Sequence, residues 1–342
     1  MSTGSTEAPP LRVDSQGADD ELAIVTRDLR RAFDGQLAVD GVDLAVEHGE
    51  IYGFLGPNGA GKTTCVRMLC TLLRPSSGTA SVAGFDVARE APELRLRIGV
   101  AMQEAALDDG QTGSEFLRLQ ARLYGLRGQE VERRARDMAE MLELGEALDR
   151  AIGTYSGGMK RRLDVAAALI HNPEVVFLDE PTTGLDPISR VKVWEEVRRV
   201  NSELGTTIFL TTQYLEEADT LAGRVGIIDH GRIVAEGAPE ALKRSLGSDV
   251  IVAELDGPSA AACDAVRAVR GIERVDVHAD ELTILVADGS SALSPVAVAL
   301  DGCGVTVRSL TLRTPTLDDV FLELTGGHIQ ADGEWTEEEE TT

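Results

Sequence analysis

The sequence predicts an α/β protein: strand–turn–helix units on either side of a helical insert, followed by a small α+β domain. Three observations carry that prediction. Short apolar, β-rich runs bounded by glycine recur in residues 22–103 and again in 173–247. Helical periodicity fills the stretch between them, 104–172. Beyond residue 247 the apolar runs change order to strand, helix, strand, strand, helix, strand.

Taken in order, residues 1–20 are rich in Ser, Gly, Pro and Asp and are expected to form a disordered tail. Strands follow at Ala23–Thr26, Val42–Val46 and Ile51–Leu55, then a helix at Cys65–Leu73 and a strand at Ile98–Ala101. In the insert, Val131, Ala135, Met138 and Leu142 fall on one helical face, which is ordinary amphipathic packing. Strands return at Val175–Leu178 and Thr207–Thr212.

The segment 248–327 reads strand Val250–Leu255, helix Ala260–Val269, strands Arg274–Val277 and Leu282–Val286, helix Ser291–Leu300 and strand Val305–Leu312, closed by helix Leu317–Leu324. That βαββαβ order is the ferredoxin-like arrangement. The expected domains are therefore 21–247 and 248–327, with an acidic, solvated tail at 328–342 that includes the run Glu337–Glu340.

Charge and composition narrow the function. The 342 residues carry 58 acidic and 33 basic side chains, a net charge of −25. A nucleic-acid partner needs a basic face, and the longest basic run is only Lys160-Arg161-Arg162, so none is expected. No apolar run approaches the roughly 18 residues of a membrane span, and the start lacks a basic-then-apolar secretory order. A cytoplasmic location is expected. Four cysteines (Cys65, Cys70, Cys263, Cys303) and five histidines show no metal spacing and no disulfide framework.

The strongest chemical signal is Gly56-Pro57-Asn58-Gly59-Ala60-Gly61-Lys62-Thr63-Thr64. It fits G-x-x-x-x-G-K-[ST] between an apolar strand and a helix, the flanks this motif requires. Glycines let backbone N–H groups turn around phosphate oxygens, and the helix N-terminus adds positive potential. Lys62 is placed for the β- and γ-phosphates, and the Thr63 hydroxyl for Mg²⁺. The chain is read as binding a nucleoside triphosphate.

A second element, Val175-Val176-Phe177-Leu178-Asp179-Glu180, is a buried strand delivering carboxylates to the edge where phosphates sit. Asp179 can hold Mg²⁺ through water, and Glu180 is expected to point elsewhere, free to orient or deprotonate a water. A third, Tyr155-Ser156-Gly157-Gly158-Met159, places a serine and two glycines at a helix start, a second anion cradle.

Together these motifs resemble the ATP-binding cassette (ABC) ATPases, whose signature usually reads Leu-Ser-Gly-Gly-Gln. The resemblance implies a P-loop NTPase fold with a RecA-like core and helical insert, and ATP with Mg²⁺ as cofactors. It also implies that two cassettes meet head to tail, Ser156, Gly157 and Gly158 of one closing over the γ-phosphate held by the other. Phe33 resembles the aromatic that stacks on adenine. Gln103 resembles the Q-loop glutamine that touches Mg²⁺ and senses the membrane partner. Asp186, in Gly184-Leu185-Asp186, resembles the D-loop residue that meets its counterpart across the dimer.

One position departs from the family. Where most cassettes carry a switch histidine after a strand, this chain has Gln213. An amide can donate a hydrogen bond to a γ-phosphate oxygen but cannot shuttle a proton. General-base duty then falls to Glu180. This variant, with Leu317-Asp318-Asp319-Val320-Phe321-Leu322 near the C-terminus, resembles the daunorubicin-resistance type of exporter ATPase. The resemblance implies a homodimer on the inner face of the cell membrane, hydrolysing ATP to drive export by a separately encoded permease. A non-transport cassette ATPase and a regulatory nucleotide-binding subunit are the alternatives.

Overall fold

The computed structural model describes residues 22–103, 107–245, 249–256, 260–313, 315–329 and 335–337. The expected N-terminal tail, the boundary at 247 and Glu338–Glu340 lie outside them. In chain order the elements begin β1 (Leu22–Phe33), β2 (Gln36–Glu47), β3 (Ile51–Leu55), α1 (Lys62–Leu69), β4 (Ser77–Val82), β5 (Phe85–Asp86), α2 (Ala91–Arg95) and β6 (Ile98–Ala101). The insert holds α3 (Gly113–Leu123), α4 (Gln129–Met141) and α5 (Gly157–Leu169). Then come β7 (Val175–Asp179), α6 (Pro187–Leu204), β8 (Thr207–Thr212), α7 (Leu215–Leu221), β9 (Arg224–Asp229), β10 (Arg232–Gly237) and α8 (Pro239–Ser245). The C-terminal part runs β11 (Asp249–Leu255), α9 (Ala260–Arg267), β12 (Ile272–His278), β13 (Glu281–Val286), α10 (Gly289–Gly302), β14 (Val307–Arg313) and α11 (Leu317–Thr325). β15 (Gly327–Ile329) and β16 (Trp335–Glu337) form a two-stranded ribbon.

Among the described residues the chain falls into two compact units. One comprises the described residues within 22–52, 61–211 and 230–232; the other comprises Gly53–Ala60, Thr212–Asp229 and the described residues from Ile233 onward.

In the first unit, β1 pairs antiparallel with β2 and β4, and β4 with β5, in the order β2-β1-β4-β5. The strands that matter for chemistry are parallel. Ala101 of β6 pairs with Leu178 of β7, and Asp179 of β7 with Thr211 of β8. Every residue of β7 and β8 is buried, as their unbroken apolar or β-branched runs require of strands covered on both faces. Phe209 stacks on Tyr52 with centroids 5.5 Å apart and lies 5.7 Å from Phe177.

The insert is built on α5. Val131, Ala135, Met138 and Leu142 are all buried, as their spacing predicted. Thr112 and Glu115 form a capping box at the start of α3. Tyr124 stacks on His171 at 3.6 Å between centroids, and Arg134 of α4 donates to the carbonyls of Leu169 and Ile170.

On α6, Glu196 is only 5% exposed and lies 3.6 Å from Arg162 of α5. Burial pushes its carboxyl up to about 7 from 4.5, with Arg162 and Arg199 opposing and Glu143 adding to the shift. The native state therefore holds this proton more tightly than the unfolded chain. Its contribution to stability is fully present below pH 4.5 and is lost as pH rises to about 7. Glu196→Gln is expected to flatten that decline, by up to about 3 kcal/mol, in urea midpoints measured across the same range.

In the second unit, β12-β13-β11-β14 form a fully antiparallel sheet, the ferredoxin-like order. One face packs Ile251, Ala253, Leu282 and Ile284 against Ala262 and Val266 of α9 and Val296 and Leu300 of α10. The closing helix α11 opens with a Thr316–Asp319 capping box. It buries Leu317, Val320 and Phe321 among Leu55, Ala218 and Ala222 of α7, Val225 and Ile227 of β9, and Leu242. Arg313 bonds Asp319, and Arg274 pairs with Glu323.

Beyond shifts at other element ends, such as β1 running Leu22–Phe33 where Ala23–Thr26 was expected, three differences stand out. Helix α1 starts at Lys62 rather than Cys65, because the phosphate-loop lysine and threonines form its first turn. It stops at Leu69 rather than Leu73, since Thr71 adopts a left-handed φ of 64°. Within the expected solvated tail, β15 pairs with β16; Ile329, Trp335 and Thr336 have strand propensity that the acidic composition masks.

Candidate functional site

The glycine loop leaves β3 with the Gly56 N–H donating to the Thr212 carbonyl at 3.2 Å, and Ala60 N–H closing onto the Pro57 carbonyl at 3.2 Å. A Cβ on Gly56 would fall 2.3 Å from the Ile228 carbonyl oxygen. Asn58 and Gly59 are exposed at the tip. Gly61, the N-cap of α1, has φ 107°, and a Cβ there would fall 2.4 Å from the Ala38 carbonyl oxygen. Only glycine fits either place. No side chain caps α1, so the N–H groups of its first turn, which carries Lys62, Thr63 and Thr64, are aimed outward as an anion site.

Lys62 is 4% exposed, with its ammonium 3.3 Å from Glu180 Oε1. Burial lowers its pKa, opposed by the Glu180 and Asp179 carboxylates. Asp179, at the end of β7, is fully buried. Its Oδ1 accepts from Thr63 Oγ1 at 3.2 Å and Thr211 Oγ1 at 2.6 Å, while its buried Oδ2 has no hydrogen-bond partner. A buried carboxylate oxygen left unpaired is costly, and here it belongs to a group bonded to the Thr63 hydroxyl. That donor set, hard oxygens with one orphan, suits Mg²⁺.

Glu180 follows with a φ of 48°, a left-handed backbone that costs a non-glycine residue about 1–2 kcal/mol. Its N–H donates to Thr211 Oγ1 at 3.0 Å, which helps hold the turn. The carboxylate is not free, as the sequence reading had it. Lys62 pairs with one oxygen, and the other accepts from Gln103 Nε2 at 3.2 Å and Thr183 Oγ1 at 3.3 Å. The structure thus brings Lys62, Thr63, Gln103, Asp179 and Glu180 together, with Gln103 on Glu180 itself.

The other sequence candidates make contacts of their own. Phe33 is 44% exposed at the end of β1, with the Arg31 guanidinium 4.6 Å from its ring centroid. Ser156 is exposed and N-caps α5, its hydroxyl accepting from Met159 N–H at 3.3 Å. Asp186 N-caps α6, accepting from Ser189 N–H at 3.0 Å and Ser189 Oγ at 2.6 Å, bonds that hold its carboxyl below the usual range. A Cβ on Gly158 would stand 3.2 Å from Ser189 Oγ and one on Gly157 3.5 Å from Leu185, so the two turns adjoin. Gln213, in the second unit, is buried with its Oε1 unpartnered.

Sequence reasoning missed Thr183 and Thr211, which orient the two carboxylates. Thr211 had a signal: it stands opposite Asp179 in the parallel ladder. Thr183 had none beyond lying three residues after Glu180.

A lysine and a hydroxyl on an uncapped helix start, set against a buried and half-satisfied aspartate, define a nucleoside-triphosphate-binding protein of the P-loop class. The comparisons with known proteins then give the family. The ABC transporter family matches residues 39–183, and the C-terminal domain of DrrA1-3-like ATP-binding proteins matches 237–325. The chain belongs to the ATP-binding subunits of ABC transporters, of the daunorubicin-resistance type, and is an ATPase.

It is 47% identical over 310 residues to daunorubicin resistance ATP-binding protein DrrA2 of Streptomyces coeruleorubidus, covering 90% of this chain and 96% of the relative. Over 301 residues it is 36% identical to linearmycin resistance ATP-binding protein LnrL of Bacillus subtilis, covering 87% and 96%. A solved ATP-binding subunit of an ABC transporter superposes with a TM-score of 0.60 at 28% identity, covering 66% of this chain and 93% of that one. No helix among the described residues is long and apolar enough to cross a membrane.

Proposed function

We propose that this chain is the hydrolytic subunit of an exporter whose membrane permease is a separate chain, and that the cargo is a drug or another hydrophobic compound. The resistance names of its relatives support the cargo class, and the cluster around Lys62, Asp179 and Glu180 supports hydrolysis. The observation that carries the reading is the orphaned Asp179 Oδ2 on a carboxylate bonded to Thr63. Those two residues would hold Mg²⁺, which when bound neutralises phosphate charge. Gln103 is the third candidate for the metal through its amide oxygen.

Lys62 pairs with phosphate oxygens, and Glu180 takes the proton from the attacking water. Gln103 donates to Glu180 and so orients that base. Gln213 hydrogen-bonds the γ-phosphate without moving a proton. Phe33 stacks on the adenine. Two copies close head to tail, each Ser156–Gly158 turn meeting the other's γ-phosphate and the Asp186 segments meeting across the seam. The permease holds the pair at the inner face of the membrane, docking near Gln103 and the insert 104–172, while 248–327 adds dimer contacts or regulates closure. The match to the ABC transporter family and the presence of both carboxylates speak against a non-transport or purely regulatory cassette.

The test is the mass of the full-length Glu180→Gln protein by light scattering. Doubling on addition of ATP and Mg²⁺ is expected. A strict monomer with nucleotide bound and the permease supplied overturns the closure.

A further inference from the structure

We propose that Arg161 is a positioning residue for hydrolysis: it ties the signature helix α5 to the backbone immediately behind both Gln103 and Glu180. The inference deepens the ATPase reading above.

The basic run Lys160-Arg161-Arg162 looks in sequence like a patch of surface charge. In the structure its members part. Lys160 reaches the exposed Asp109 at 2.7 Å, and Arg162 donates to the carbonyls of Leu142 and Glu143. Arg161 turns inward and is 7% exposed. Its Nη1 donates to the Met102 carbonyl at 2.6 Å, and its Nη2 to the carbonyls of Asp179 at 3.1 Å and Ala101 at 3.4 Å. Asp164, one helical turn on, balances the charge at 3.2 Å.

These carbonyls stand where the β6–β7 ladder runs out, its last pair being Ala101 with Leu178. A buried guanidinium is tolerated only when its donors are used, and its planar fork can serve carbonyls from two strands at once. Lysine, whose three donors all sit on one nitrogen, cannot span them.

The leverage follows from chain order. Met102 precedes Gln103, and Asp179 precedes Glu180. The Gln103–Glu180 hydrogen bond at 3.2 Å closes a ring that runs back through both peptides to Arg161. Arg161 in turn lies little more than one helical turn beyond Ser156, on the same helix. A shift of the signature turn therefore reaches the base and its orienting amide through one side chain that touches neither.

The test uses the full chain with Arg161→Lys and Arg161→Met. Turnover at saturating ATP is expected to fall about tenfold or more in Arg161→Lys, with KM for ATP within about threefold, because only placement of the base is lost. In a double-mutant cycle, adding Gln103→Ala to Arg161→Met should cost little beyond the larger single loss, since both act on Glu180. Amide exchange of the nucleotide-free protein supplies a readout independent of activity. Segments spanning Gln103 and Glu180 should exchange about tenfold faster in Arg161→Lys, while Thr207–Thr212 is unchanged.

Wild-type turnover in Arg161→Lys, fully multiplicative losses with Gln103→Ala, or unchanged exchange at Gln103 and Glu180 would overturn the proposal. If Arg161→Met does not fold, Arg161→Lys decides. A wild-type protein that exchanges as expected but never hydrolyses ATP tells against the ATPase reading and leaves the tether standing.

Discussion

Glu180→Gln is expected to slow ATP hydrolysis by about 10²- to 10⁴-fold, the usual worth of a positioned general base. Glutamine keeps the size of the side chain and an oxygen for the Gln103 and Thr183 donors, so the loss should fall on chemistry rather than folding. It also removes the carboxylate paired with Lys62 at 3.3 Å. That frees the ammonium for phosphate, and nucleotide affinity is expected to hold or tighten. Phosphate release and fluorescent-nucleotide binding measure the two effects separately. A variant hydrolysing within about threefold of wild type would disqualify Glu180 as the base.

The second large effect is structural. Phe321→Ala is expected to destabilise its unit by about 3–5 kcal/mol, as deletion of a fully buried phenyl ring does. The ring lies in one cluster with Leu55, Ala218, Ala222 and Val225. Leu55 immediately precedes Gly56, and α7 begins two residues after Gln213. The closing helix is thus packed on the supports of the glycine loop and of Gln213. Urea unfolding measures the loss. A change under about 1 kcal/mol would mean that the cluster relaxes around the missing ring, and the bracing of those supports would have to be abandoned.

Much of the fold was legible because its patterns are local. Ile51–Leu55 and Ile98–Ala101 were read to the residue, and the βαββαβ order of the C-terminal part holds with small shifts at element ends. Fully buried parallel strands announce themselves as short apolar runs. The ribbon at 327–337 was hidden, because three-residue strands in an acidic context carry too little pattern. In the site, Glu180 was read by type and place but not by company. Its left-handed backbone and its pairing with Lys62 have no local signature.

By itself the sequence determined that a phosphate loop, a lysine and two strand-end carboxylates exist. Phosphate binding demands contiguous glycines before a helix, and that demand is written in adjacent residues. Tertiary structure alone decided which groups meet. Thr211 turns to Asp179, Gln103 reaches Glu180 and Arg161 reaches the carbonyl of Met102, across separations of 32, 77 and 59 residues. Burial of Thr211, Asp179, Glu180 and Arg161 favours pairing of their polar groups, and at such separations the ladder of β6, β7 and β8 brings the partners together.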